Sequence, residues 1–138
     1  MNYIELKKQQ ESEFNNFPMG FAFSEKQLEE VANKIAEGKK ENLLSIGYGG
    51  LISKKDKDAF IALNKKLKIE KENFLADEKN LKDAIIYEMG DHEYCFDEND
   101  DAILGALGIS EKRANDKDFQ TIYEKAKKAY FKKAEKNW

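Results

Sequence analysis

The chain has 138 residues, of which 41% are hydrophobic and 37% charged, with a formal net charge of −3. That length supports one domain around one core, and nine Phe, six Tyr and one Trp are too many aromatics for a disordered chain. The lone cysteine, Cys95, and the lone histidine, His92, exclude an internal disulfide, a multi-cysteine zinc site and any His-pair chemistry within the chain.

Residues 2–14 read as a first helix with an apolar stripe of Tyr3, Leu6 and Phe14, stopped in the turn around Pro18. Phe21–Phe23 is a short strand. Ser24, with Gln27 three residues on, caps a second helix whose Leu28, Val31, Ala32 and Ile35 recur at helical spacing up to Gly38. Residues 43–52 read as one or two strands bent by glycines. Ser53 is expected to cap a third helix with Phe60, Leu63 and Leu67 on its buried face. Asp77 caps a fourth, whose stripe of Leu81, Ile85, Met89, His92 and Phe96 predicts a helix continuous past Gly90. Asp97 is expected to cap a short fifth helix closed by Gly108. The last helix starts near Asp116, with Phe119, Ile122, Tyr123, Ala126, Ala129 and Tyr130 on one face. The expectation is a single α+β domain over residues 1–138, mostly helical, with five to six helices packed on a small sheet or hairpin.

Local motifs give little chemistry. Gly47-Tyr48-Gly49-Gly50 lacks the third glycine of a dinucleotide fingerprint and the Gly-Lys-Ser/Thr of a P-loop, so it reads as a glycine-bent hairpin. Asp97-Glu98-Asn99-Asp100-Asp101 begins like a calcium loop. Ala102 stands where that loop needs glycine, and Gly108 where it needs glutamate. His92 and Cys95 at a spacing of three, with Glu88 and Asp91 nearby, are too few ligands in sequence to define a metal centre. The reading adopted is a histidine in the buried stripe and a cysteine packed as a small hydrophobe. No catalytic residue, metal or cofactor is expected, and the protein is read as not an enzyme.

Charge is the informative feature. Between Asp83 and Glu111 lie nine acids and no lysine or arginine, whereas the segment from Lys112 onward holds nine basic residues against four acids. Such an acidic block attracts cations or a basic protein groove; the alternative is a solvated face neutralised by the last helix. That helix carries Lys125, Lys127, Lys128, Lys132, Lys133 and Lys136, interleaved with Tyr130 and Phe131 and followed by Trp138. A nucleic-acid reading would place Lys125, Lys128 and Lys132 on phosphates and the aromatics on bases. The single arginine of the chain, Arg113, disfavours specific nucleic-acid recognition.

The stretches Phe17-Pro18-Met19-Gly20-Phe21-Ala22-Phe23-Ser24, Ser45-Ile46-Gly47-Tyr48-Gly49-Gly50-Leu51-Ile52, His92-Glu93-Tyr94-Cys95-Phe96 and Leu104-Gly105-Ala106-Leu107-Gly108-Ile109 occur in that order. Through them the chain resembles a family of small uncharacterised proteins from bacteriophages and mobile elements of Firmicutes and other gut bacteria. The resemblance covers most of residues 1–110 and carries over no functional residues. What it implies is a phage-accessory setting. The expectation is then a non-catalytic protein that binds and inhibits or modulates a host protein, in particular an anti-defence inhibitor of the anti-CRISPR kind. Its partner would be a nucleic-acid-binding defence enzyme in the host cytoplasm, met through Asp91, Glu93, Asp97, Glu98, Asp100 and Asp101. The alternative is a nucleic-acid-binding accessory protein using Lys125, Lys128 and Lys132. No membrane association is expected: no apolar run approaches the roughly 18 residues of a span, and residues 1–6 lack the basic-then-apolar order of a secretory signal.

Overall fold

The computed structural model describes residues 1–136. Among them are eight α-helices and a three-stranded antiparallel sheet, so the α+β expectation holds with more helices than the five or six anticipated. The chain divides into two compact units: Glu5–Leu67 forms one, and Met1–Ile4 joins the chain from Lys68 onward in the other.

The first unit contains most of helix α1 (Tyr3–Asn15), strand β1 (Met19–Phe21), helix α2 (Glu25–Ile35), strands β2 (Leu43–Gly47) and β3 (Gly50–Ser53), and the start of α3 (Lys57–Phe74). Strand β3 is central, with the order β1-β3-β2. The first strand covers Met19–Phe21 rather than Phe21–Phe23, because Met19, Gly20 and Phe21 pair with Ile52, Leu51 and Gly50. The Gly47–Gly50 segment makes the expected hairpin, with a bulge between Ser45 and Gly47 and left-handed backbone at Gly47, Tyr48 and Gly49. Helix α2 starts as its sequence dictates: Ser24 Oγ accepts from the Gln27 amide, and Gln27 Oε1 accepts from the Phe23 amide. It packs on β1 through Gly20, where a Cβ would lie 2.8 Å from Val31 Cγ2. The α1 portion of this unit and the turn after it meet α3 through tilted and edge-on rings, Phe14 and Phe17 against Phe60. Ser53 does not cap α3. It ends β3, buried, and a 3₁₀ turn over Lys54–Asp56 intervenes before the helix.

The second unit holds the larger core. Helix α4 (Glu78–Asp91) begins where Asp77 accepts from the Asn80 amide and buries Leu81, Ala84, Ile85 and Met89. It lies against α6 (Asp100–Leu107), which contributes Ile103 and Leu107, and α8 (Lys117–Lys136), which contributes Phe119, Tyr123, Ala126 and Tyr130. Each large aliphatic or phenylalanine side chain among these contributes about 1.5–3 kcal/mol by leaving water. Tyr3 joins this core, its ring 5.6 Å from that of Tyr87. Two short helices, α5 (Tyr94–Asp97) and α7 (Glu111–Ala114), account for the higher helix count.

The continuous fourth helix is not formed. Helix α4 ends at Asp91, His92 is its C-cap, and Glu93 turns left-handed at φ 51°. After that turn Tyr94, not Phe96, enters the core. Asn99, not Asp97, caps α6, accepting from the Ala102 amide.

Candidate functional site

The part of the acidic block from Asp91 to Asp101 folds into the end of α4, the single turn of α5 and the first turn of α6. All six acids singled out from sequence are exposed there. Asp91 is the last residue of α4. Glu93 and Glu98 enclose α5, both left-handed, at φ 51° and φ 47°. For a side chain with a Cβ that conformation costs about 1–2 kcal/mol per residue. Asp97 closes α5, its carboxylate accepting from the Asn99 amide. Asp100 and Asp101 occupy the first turn of α6, where the helix dipole favours negative charge.

Phe96 stands within this segment at 82% exposure. The periodicity of the fourth helix had placed it in the core, and the left-handed turn at Glu93 reverses that. An exposed ring within an acid-rich segment is a candidate site residue that sequence pattern misassigns. The only signal for it was Gly90, a poor helix former near the true helix end.

The acids are not equivalent. Asp100 Oδ1 accepts from two phenols, Tyr94 at 2.5 Å and Tyr123 at 2.6 Å. Both phenols titrate well above the usual tyrosine range, first because burial penalises tyrosinate and then because Asp100 accepts their protons in hydrogen bonds. Asp100 therefore ties α6 to α5 and α8 as well as facing solvent. Beside it a shallow cavity of about 180 Å³ is lined by Leu104, Ala114, Phe119, Gln120, Tyr123 and Glu124.

The ninefold acid count also contains one buried member. Glu88 is 1% exposed; its Oε1 accepts from the Tyr3 hydroxyl at 2.8 Å and its Oε2 lies 3.2 Å from His92 Nε2. His92 was expected in the buried stripe; its side chain is instead 38% exposed, because it caps the helix rather than continuing it. Cys95 is half-buried as a packing residue, with its backbone amide donating to the Tyr130 hydroxyl at 3.0 Å.

The last helix touches the block at Lys127, whose Nζ is 3.8 Å from Glu98 Oε1 and 5.8 Å from the centre of the Tyr94 ring. At that length and exposure such a pair contributes about 0–1 kcal/mol. Lys125, Lys128 and Lys132 are exposed on α8. The aromatics expected to accompany them are not on that surface: Tyr130 is buried and Phe131 packs against Tyr94 and Tyr130. Trp138 lies outside the described residues.

The fold is that of a mostly helical α+β protein whose exposed acidic segment includes an exposed phenylalanine. Residues 2–129 match a family of unknown function, DUF7659, and the chain belongs to that family. The match runs beyond residue 110, where the resemblance was expected to end, and takes in most of the lysine-bearing helix. No curated protein and no solved structure matches the chain.

Proposed function

We propose that this protein is a non-catalytic accessory protein, of phage or mobile-element type, that binds a host protein and inhibits or modulates it. In this reading the partner is a nucleic-acid-binding defence enzyme. The acids of residues 91–101 occupy the basic groove in which that enzyme holds a phosphate backbone. The observation that carries the reading is Phe96, 82% exposed between left-handed Glu93 and Glu98. Hot spots of protein interfaces are commonly buried aromatic anchors surrounded by polar groups. Strained non-glycine backbone also concentrates where a surface has work other than stability.

The test separates binding from folding. Asp100 is committed to two phenols, so the neutralised variant is Glu93→Gln, Asp97→Asn, Glu98→Gln and Asp101→Asn, with Phe96→Ala made separately. A host protein captured by the tagged wild-type chain should be lost with either variant. Its capture should also weaken steeply as salt rises, since exposed charges are screened within about 8–10 Å at physiological ionic strength. Equal capture by the neutralised variant overturns the reading.

The alternative, nucleic-acid binding through Lys125, Lys128 and Lys132, is favoured by the exposure of those lysines and weakened by the burial of Tyr130. A steep salt-dependent gel shift abolished by Lys125→Glu, Lys128→Glu and Lys132→Glu would establish it in place of the first.

A further inference from the structure

We propose that Glu88, Asp91 and His92 form a binding site for a single borderline divalent cation, of which Zn²⁺ is the type, with water completing the coordination. One ligand atom from each residue lies within 4.8 Å of the other two. The separation of His92 Nε2 from Glu88 Oε2 is 3.2 Å. Two ligands held about 2.0–2.1 Å from a tetrahedral zinc ion stand roughly 3.4 Å apart, so this edge of the shell already has its working length. Asp91 is exposed, and rotation of its side chain closes the remaining distance.

The backbone accounts for the convergence. Glu88 and His92 are four residues apart and Asp91 lies between them on the last turn of α4, so all three project from one end of the helix. The left-handed residue Glu93 then turns the chain away, and the exposed sides of Asp91 and His92 face solvent, from which an ion enters.

An independent feature is the support behind the ligands. Glu88 is 1% exposed, yet its carboxylate is oriented: the Tyr3 hydroxyl holds Oε1 at 2.8 Å and turns Oε2 to the imidazole. Metal sites commonly fix their carboxylate and histidine ligands through such outer hydrogen bonds. Tyr3 is itself packed between Phe74 and Tyr87, so the donor does not wander. One imidazole nitrogen with two carboxylates selects a borderline transition ion over Mg²⁺ or Ca²⁺, which prefer all-oxygen shells. Cys95 is outside the set, so no thiolate is used.

The experiment uses the full chain, freed of affinity tags and stripped of metal with a chelator. It is titrated with Zn²⁺ by calorimetry in excess Mg²⁺, and with Co²⁺ by visible absorption. The expected result is one ion per chain and a cobalt spectrum without a sulfur charge-transfer band. Affinity should fall by more than tenfold in His92→Gln and in Asp91→Asn, and by about 10–100-fold in Tyr3→Phe, which keeps the ring and removes the outer hydrogen bond. Cys95→Ser should bind as the wild type does. Substoichiometric binding, displacement by Mg²⁺, a sulfur band, or undiminished affinity in His92→Gln each overturns the site and leaves His92 and Glu88 as a side-chain contact only. Asp91 is exposed, so the thermal melt of the metal-free Asp91→Asn variant should coincide with the wild type. None of these measurements involves a protein partner, so the site stands or falls separately from the proposed function.

Discussion

The hydroxyl of Tyr3 donates a 2.8 Å hydrogen bond to the buried carboxylate of Glu88, joining the first turn of the chain to the end of α4. Hydrogen bonds to charged groups contribute about 1.5–3 kcal/mol. Tyr3→Phe keeps the packing against Phe74 and Tyr87 and deletes this donor. It should destabilise the protein by about 1–3 kcal/mol in urea unfolding, and Glu88→Gln, which can still accept from the phenol, should cost less than Glu88→Ala. Equal costs for the two Glu88 variants would show that the bond carries little of the stability.

Asp100 is the second polar node. Two phenols converge on one of its oxygens, so Asp100→Ala leaves both without their acceptor while Asp100→Asn keeps one in place. The alanine variant should lose about 2–4 kcal/mol, as two buried donors go unsatisfied, and the asparagine variant about half as much. Denaturant midpoints measured with unchanged m-values check this ordering.

Three buried tyrosines should make stability pH-dependent at the alkaline end. Tyr3, Tyr94 and Tyr123 are all raised above their ordinary value, first by burial and then by hydrogen bonding to a carboxylate. An unfolded tyrosine ionises near pH 10. Above that pH the unfolded chain gives up these protons while the folded one keeps them, so the native state binds more protons and stability falls with rising pH. Below about pH 10 the contribution is complete and flat. Unfolding free energy followed against pH, with tyrosinate absorbance as the ionisation readout, should decline above about pH 10, and less steeply in Tyr3→Phe. Ionisation of these phenols near pH 10 in the folded protein would contradict the assignment.

Gly20 governs the contact of β1 with α2. A Cβ there would stand 2.8 Å from Val31 Cγ2 and 2.9 Å from Cγ1, and a β-branched side chain has few rotamers with which to yield. Gly20→Ala should cost about 1–3 kcal/mol by overpacking. Combined with Val31→Ala it should cost less than the two changes summed, because the second makes room for the first.

Phe96 gives the opposite expectation. At 82% exposure, Phe96→Ala should leave the unfolding midpoint nearly unchanged, within about 0.5 kcal/mol. Capture of the partner should nonetheless fall at least tenfold. A large loss of stability would reassign Phe96 to the core and remove the anchor from the proposed interface.

Features decided by neighbours in sequence were legible before any coordinates. Ser24 and Gln27 stand three apart and cap α2 because the first turn of a helix leaves its amides unpaired within reach of just such side chains. Asp77 caps α4 for the same reason. Gly47 and Gly49 take two of the three positive φ angles of the hairpin at little cost, and the apolar face of α8 follows from spacing alone. The exposure of the six acids was legible too, since charged side chains in an acid-rich run stay largely in water.

The tertiary structure decided where α4 stops, and with it the character of the site. Leu81, Ile85, Met89, His92 and Phe96 keep helical period, but periodicity states which face a helix would bury if it continued, not whether it continues. Burying Tyr94, whose hydroxyl reaches Asp100 next to that of Tyr123, requires the turn at Glu93. That turn sends Phe96 to the surface and leaves His92 beside Glu88 and Asp91. No local pattern encodes these outcomes, because each depends on a partner distant in sequence: Tyr123 lies 23 residues from Asp100, and Tyr3 lies 85 residues from Glu88.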